Sequence, residues 1–434
     1  MHHFTYRNGA LHAEDVPLER IAAEVGTPVY VYSAATMERH YRVFDSAFGD
    51  RPHLTCYAMK ANSNQAVLKL LTDLGAGLDI VSGGELERAR ALGVEGSRIV
   101  FSGVGKTDEE MRAALAHSIR CFNVESLPEL ERLSQVATGM GKVAPVSIRV
   151  NPDVDAGTHE KINTGRRADK FGISYLEAPR VYARAAELPG VEVRGVDMHI
   201  GSQITDLAPF DKAFSLLAGL VEELRAAGHD IRHVDLGGGL GVPYHGDTDI
   251  PPHPDDYVAM TDKALGHLGL EYIMEPGRLI VGNAGLLLGR VIFVKQTPEK
   301  TFIIGDAGMN DLIRPTLYDA FHHILPVREP APGAPLVEAD VVGPVCETGD
   351  FMARDRKLPP LARGDLFAVM TAGAYGAVQS GTYNTRPLVP EVLVKGDEFA
   401  VVRPRLGVEE IMAQDRLAPW QERGKGGSKG RDQE

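Results

Sequence analysis

Between Arg51 and Arg278 the chain repeats one unit eight times, and that repeat limits the fold more than any other feature: a short apolar run, a Gly-rich or polar end, then a helical pattern. The runs are "HLTCYAMK", "AGLDIVS", "RIVFSG", "RCFNVES", "APVSIRVN", "EVRGVDMHI", "IRHVDLGGG" and "EYIMEPG". Segments between them such as "NQAVLKLLTDLG", "GGELERARALG", "TDEEMRAALAHS" and "FDKAFSLLAGLVEELRAAG" read as amphipathic helices. Gly75, Gly93 and Gly228 stand where helix C-caps fall. Strands alternating with helices predict a parallel sheet, and eight units over roughly 230 residues predict a closed (β/α)8 barrel of TIM type. An open doubly wound sheet also alternates; the count of eight favours the barrel. A helical stretch from Ser33 to Phe48 precedes the first run, and no clear helix follows the eighth. The leading helix is therefore expected to fill that place.

After Leu279 the pattern changes. "GRVIFVKQ", "KTFIIGDAG", "LVEADVVGPV", "DLFAVMTAGAYG" and "EVLVKGDEFAVVR" read as strands with hairpin turns, and so does "FTYRNGALHA" near the start, with an Asn8-Gly9 turn. The expected organisation is N-terminal strands over 1–32 joining a mostly β domain, a barrel over 33–279, the β domain over 280–414, and a disordered tail over 415–434.

Composition narrows the function. A formal net charge of −13 argues against a broad nucleic-acid or anionic-membrane surface, while leaving room for a small anionic ligand held by local donors. No run reaches the ~20 apolar residues of a membrane span, and the opening "MHHFTYRNGA" lacks a signal-peptide pattern. Three widely spaced cysteines, Cys56, Cys121 and Cys346, form no CxxC pair and fit a reducing, cytoplasmic setting. His322-His323 is adjacent rather than helically spaced, so no metal is expected.

Barrel sites lie at the C-terminal ends of the strands. In order those ends carry Lys60, Ser82, Ser102, Glu125, Arg149 with Asn151, His199 with Ser202, Gly237 to Gly239, and Glu275 with Arg278. An amine, an imidazole, a carboxylate and two glycine-rich loops on one mouth suggest an anionic cofactor. Lys60 in the ordinary reading snorkels into water. In the sharper one it sits in a partly dry pocket, where desolvation lowers its pKa and frees it to form a Schiff base with pyridoxal phosphate. That cofactor needs a phosphate grip, a ring flank and a partner for the pyridine nitrogen. "DLGGGLG" offers bare backbone amides after strand seven, where barrels often bind phosphate. "MHIGSQ" brings His199 to flank a ring and Ser202 to donate to phosphate, although a lone histidine is more often a satisfied core residue. "MEPGR" places Glu275 for the ring nitrogen, unless it merely pairs with Arg278.

"YAMKAN", "HIGSQ", "DLGGGLG", "EPGR", "GDAGMNDLIRPTLYDAFHHI", "CETGD" and "GAYG", in this order across nearly the whole chain, resemble the bacterial meso-diaminopimelate decarboxylases. The resemblance implies a pyridoxal 5′-phosphate barrel with a C-terminal β domain, working as a homodimer with shared sites. It implies decarboxylation of meso-2,6-diaminopimelate to L-lysine, the last step of lysine biosynthesis. By motif, Lys60 holds the cofactor and His199 stacks on its ring. Ser202, Gly238, Gly239, Gly277 and Arg278 take the phosphate, and Glu275 faces the ring nitrogen. Arg278, Arg314 and Tyr318 reach substrate, and Tyr375 touches both cofactor and substrate. Cys346, the acid that protonates the carbanion, and Glu347, which recognises substrate, come from the neighbouring subunit.

Two substrate carboxylates suit Arg278 and Arg314, since guanidinium binds carboxylate as a bidentate fork. Cys346 beside "ETGD" is the better catalytic choice over Cys56 or Cys121, and Cys121 in "RCFNV" is assigned to the core. The long polar segment 155–172 is expected to act as a lid. Two rival readings stay open. One is a related decarboxylase acting on ornithine, arginine or carboxynorspermidine. The other is a silent pyridoxal-phosphate carrier or regulator, against which the full set Lys60, Glu275, Arg278 and Cys346 speaks.

Overall fold

The computed structural model describes residues 2–155, 164, 170–245 and 250–422. The expected lid at 155–172 and the expected tail at 415–434 fall largely outside the described residues.

Eight parallel strands follow one another round a closed barrel: β1 (His53–Ala58), β2 (Gly77–Ile80), β3 (Ile99–Phe101), β4 (Cys121–Val124), β5 (Ala144–Asn151), β6 (Val191–Asp197), β7 (His233–Asp235) and β8 (Glu271–Met274). Each pairs with the next, and β8 pairs with β1 through Tyr272 opposite His53. Strands covered on both faces read as continuous apolar runs, and all eight residues of β5 are buried.

The helices that surround the barrel are α1 (Ala34–Ser46), α2 (Gln65–Asp73), α3 (Gly83–Ala91), α4 (Asp108–Ala116), α5 (Leu127–Gly139), α6 (Ala178–Glu187), α7 (Ala208–Ala226) and α8 (Pro254–Leu265). Ser33, Asn64, Ser82, Thr107 and Ser126 each accept a backbone N–H at a helix start, which satisfies a donor left over by the first turn. Gly75, Gly93 and Gly228 follow helices at φ +102°, +72° and +93°. Helix α1 packs beside both α2 and α8, with Phe44 6.4 Å from Tyr257, and so closes the ring in place of a helix after β8.

The second body is a mixed sheet. Its order runs Phe351–Leu358, Val337–Val342, Thr301–Gly305, Gly285–Gln296, Val29–Ser33, Glu391–Lys395, Glu398–Arg403. Leu366–Val369 pairs with both Gly285–Gln296 and Ile324–Pro326. Val29–Ser33 threads the N-terminal part of the chain into the middle of this sheet, antiparallel to one neighbour and parallel to the other. The three strands before it form a small sheet of their own, turning at Asn8-Gly9, and pack Phe4 and Leu11 against Leu286, Leu288 and Val392. Among the described residues no helix is long and apolar enough to cross a membrane.

Candidate active site

Lys60 lies on a single 3-10 turn, Met59–Ala61, directly after β1, and its amine donates to Asp79 Oδ2 at 2.8 Å. Asp79 belongs to a belt of carboxyl groups inside the barrel: Asp79 on β2, Asp197 on β6, Asp235 on β7 and Glu275 just after β8, all buried. Asn123 Nδ2 donates to Asp235 Oδ2 at 3.0 Å and to Glu275 Oε1 at 3.2 Å, and Ser102 Oγ donates to Glu275 Oε1 at 3.1 Å. Arg149 pairs with Glu125 at 2.9 Å and stands 3.9 Å from Asp197.

Burial and mutual repulsion hold Glu275 and Asp197 well above the usual carboxylate range, and burial pushes Asp235 to about 6. The effect on Lys60 has the opposite sign to the sequence expectation. Burial opposes its charge, but Asp79 and Glu275 outweigh burial and hold the ammonium above its ordinary pKa. Before a cofactor binds, the amine is a cation.

The anion cradle is built from backbone. A Cβ on Gly238 would lie 2.4 Å from the Glu275 carbonyl, and one on Gly239, at φ +109°, 2.7 Å from the Gly201 carbonyl. Only glycine fits there. The amides of Gly239 and buried Gly277 have no acceptor among the described residues, and donors of that kind suit a phosphate. Ser202 Oγ accepts from Arg278 Nη2 at 3.1 Å. The Gly238 N–H donates to His199 Nδ1 at 3.2 Å, which leaves the ring proton on Nε2. Burial, then Arg149 and Lys60, hold His199 far below its usual pKa, so it is a neutral ring.

Outside the cradle opens a chamber of about 410 Å³, walled by Lys60, His199, Ser202, Arg278, Arg314, Tyr318, Tyr375 and Tyr244 among others. Arg278 Nη1 donates to the Tyr244 hydroxyl at 2.6 Å and lies 4.9 Å over the Tyr375 ring. Arg314 lies 5.1 Å over Tyr244. Burial opposes ionisation of the Tyr244 phenol, but Arg278 and Arg314 outweigh it and lower its pKa. Tyr375 holds φ +55° and donates its N–H to Ala61 at 2.8 Å, a strained backbone tied to the Lys60 turn.

The structure therefore gathers Lys60, His199, Ser202, Gly238, Gly239, Glu275, Gly277, Arg278, Arg314, Tyr318 and Tyr375 around two connected hollows. It does not bring Cys346 or Glu347 to either; both are exposed. Their loop is nonetheless pinned. Asp350 accepts from Met309 and Val345 N–H groups, each at 2.6 Å, and the Cys346 N–H donates to Asn384 Oδ1 at 2.9 Å. Cys56 and Cys121 are buried, and burial pushes the Cys121 thiol up to about 12.

Asp79, Asn123, Tyr244 and His322 were not anticipated as parts of the site. For Asp79, as for Asp197 and Asp235, a signal existed: an aspartate inside each of the apolar runs "GLDI", "GVDM" and "HVDL".

A barrel with a strand-end amine, a glycine cradle bearing free amides and a buried carboxyl of raised proton affinity beside them defines a pyridoxal-phosphate enzyme, and the residues fit that cofactor. Residues 34–282 match the family described as pyridoxal-dependent decarboxylase, pyridoxal binding domain. The chain is 55% identical over 416 residues to a diaminopimelate decarboxylase of Pseudomonas aeruginosa, covering 96% of this chain and 99% of that one. It is 52% identical over 421 residues to the diaminopimelate decarboxylase of Vibrio cholerae, covering 96% and 100%. The crystal structure of diaminopimelate decarboxylase from M. jannaschii in co-complex with L-lysine superposes with a TM-score of 0.91 at 35% identity, covering 96% of this chain and 98% of that one. The chain belongs to the pyridoxal-dependent decarboxylase family, and its cofactor is pyridoxal 5′-phosphate.

Proposed function

We infer that the protein is a carboxy-lyase converting meso-2,6-diaminopimelate to L-lysine and carbon dioxide, the last step of lysine biosynthesis. The observation that carries the substrate is the pair of buried guanidiniums, Arg278 and Arg314, lining the chamber that Lys60 borders. Arg278 would serve the cofactor phosphate and reach the substrate as well, and Arg314 is a second cation for a substrate carboxylate.

Lys60 would hold the cofactor. Ser202, Gly238, Gly239, Gly277 and Arg278 would take its phosphate, His199 would flank its ring and Glu275 would face its ring nitrogen. Bound there, it supplies an electron sink for the pair left on carbon when carbon dioxide departs. Burial and its carboxyl neighbours raise the proton affinity of Glu275, and a cationic ring nitrogen beside it would favour its anion. Arg314 and Tyr318 would orient substrate carboxylate, and Tyr375 would cover the site from its strained turn.

Cys346 and Glu347 are exposed in the single chain and lie on a pinned loop, which supports a homodimer in which each subunit lends this loop to its neighbour. Cys346 would then protonate the substrate carbon, and Glu347 would take the distant ammonium. The exposed thiol at the edge of a rigid loop suits a group that acts only after assembly.

The test is carbon dioxide release from meso-diaminopimelate by the purified protein with pyridoxal phosphate, beside ornithine and arginine. L-Lysine formation that requires Lys60 supports the reading. Turnover of ornithine or arginine in preference would overturn the substrate.

A further inference from the structure

Arg314 opens the short helix Arg314–Tyr318, and the chain reverses after it at Asp319, φ +49°. The reversal returns His322, fully buried, to its side. Arg314 Nη1 and His322 Nε2 are 3.0 Å apart, and His322 Nδ1 lies 2.9 Å from the Met370 carbonyl. A carbonyl only accepts and a guanidinium only donates, so Nδ1 carries the proton and Nε2 is the acceptor. The backbone on either side is fixed: Met370 N–H donates to the His323 carbonyl at 2.8 Å, and Ile324 pairs opposite Val369 in an antiparallel ladder. Tyr244 stands edge-on to the imidazole at 5.5 Å, so one ring touches both the arginine and its histidine.

The character of this partner matters. Buried arginines are commonly satisfied by carboxylates, which cancel their charge. The neighbours that act most on Arg314 are Tyr244, which also hydrogen-bonds it, Arg278 and Tyr375, and among the described residues no carboxylate forms an ion pair with it. Burial, together with Arg314, Arg278 and Arg356, lowers His322 to about 3, so it stays uncharged wherever the enzyme works.

We propose that His322 is the positioning residue for Arg314, orienting the guanidinium through one hydrogen bond while leaving its positive charge uncancelled for a substrate carboxylate. The inference rests on the reading of Arg314 as a substrate-binding residue. It makes the hydrogen bond and the neutrality of His322 separate requirements, and three substitutions in the holoenzyme separate them.

His322→Leu removes the acceptor. His322→Gln places an amide oxygen near the Nε2 position. His322→Glu keeps an acceptor but adds a negative charge. In His322→Leu the KM for diaminopimelate should rise roughly ten- to a hundredfold, with kcat changed much less and the bound-cofactor absorbance intact. His322→Gln should recover most of that loss. His322→Glu should bind substrate as poorly as His322→Leu, despite its acceptor. A wild-type KM in His322→Leu, or in His322→Glu, overturns the proposal. If His322→Leu does not fold, the contrast between Gln and Glu decides alone: a Glu variant that matches Gln overturns it. Absence of diaminopimelate turnover in the wild-type protein would instead remove the substrate reading, a separately visible failure.

Discussion

Lys60 ends a strand whose interior neighbours are carboxyl groups, and its charge follows from them even though its side chain is 38% exposed. Asp79, at 2.8 Å and fully buried, is the strongest of those influences. Asp79→Asn removes it, so the amine should titrate at lower pH and offer more neutral nucleophile. The rate at which ligand-free protein captures pyridoxal phosphate, followed by absorbance, should rise in the variant, and its pH profile should move to lower pH; superimposable profiles would contradict this. Asp235 gives the opposite kind of test. Its folded pKa, about 6, lies above the 3.8 of an unperturbed aspartate, so the unfolded chain releases that proton first as pH rises. This group's contribution to stability is therefore full below about pH 4 and is lost as pH climbs through 6. Asp235→Asn lacks that slope. In denaturant unfolding of ligand-free protein, the variant should gain on the wild type by up to about 3 kcal/mol between pH 4 and pH 7. A gap that does not change with pH would show that the carboxyl ionises freely in the fold.

At the scale of elements, helix α1 matters out of proportion to its length because it closes the ring. Its start is held by Ser33, whose Oγ accepts from the Thr36 N–H at 3.1 Å and donates to buried Glu14 at 2.8 Å. Glu14 also takes the Ala35 N–H at 2.9 Å and the Gly396 N–H at 2.6 Å, so one carboxylate ties the helix to the small N-terminal sheet and to the hairpin Glu391–Arg403. Ser33→Ala should cost about 2 kcal/mol in denaturant unfolding, the sum of a lost cap and a weakened carboxylate shell; a loss near zero would mean that packing alone seats α1. The barrel was legible because doubly covered strands are apolar without interruption and its helices are amphipathic. The strand Phe351–Leu358 was not, since "FMARDRKL" carries four consecutive charged residues, as an edge strand facing water can. Of the site, the strand-end residues and glycine loops could be read locally. The Lys60 charge, the Tyr244 bridge and the His322 contact could not, because each depends on groups brought together from distant parts of the chain.

At the scale of the whole molecule, Cys346 and Glu347 separate two architectures that a single chain cannot distinguish by composition. If each subunit completes its own site, Lys60 and Cys346 act in cis. If the pinned "CETGD" loop serves the neighbour, they act in trans, as in the proposed homodimer with shared sites. Two inactive variants, Lys60→Ala and Cys346→Ala, can be unfolded, mixed in equal amounts and refolded together. In trans, a mixed dimer pairs one intact lysine with one intact cysteine at one of its two sites, because the Lys60→Ala chain still lends its thiol to the Cys346→Ala chain. Half the dimers are then mixed, and roughly a quarter of wild-type carbon dioxide release should return. In cis, every chain carries one lesion in its own site and nothing returns beyond the background of the separate variants. The rigidity of the loop sharpens this expectation: Asp350 and Asn384 already fix its backbone in one chain, so little ordering remains to oppose docking against a neighbour. Loosening it with Asp350→Ala, in otherwise wild-type protein, should therefore weaken dimerisation and turnover together, with activity recovering as protein concentration is raised.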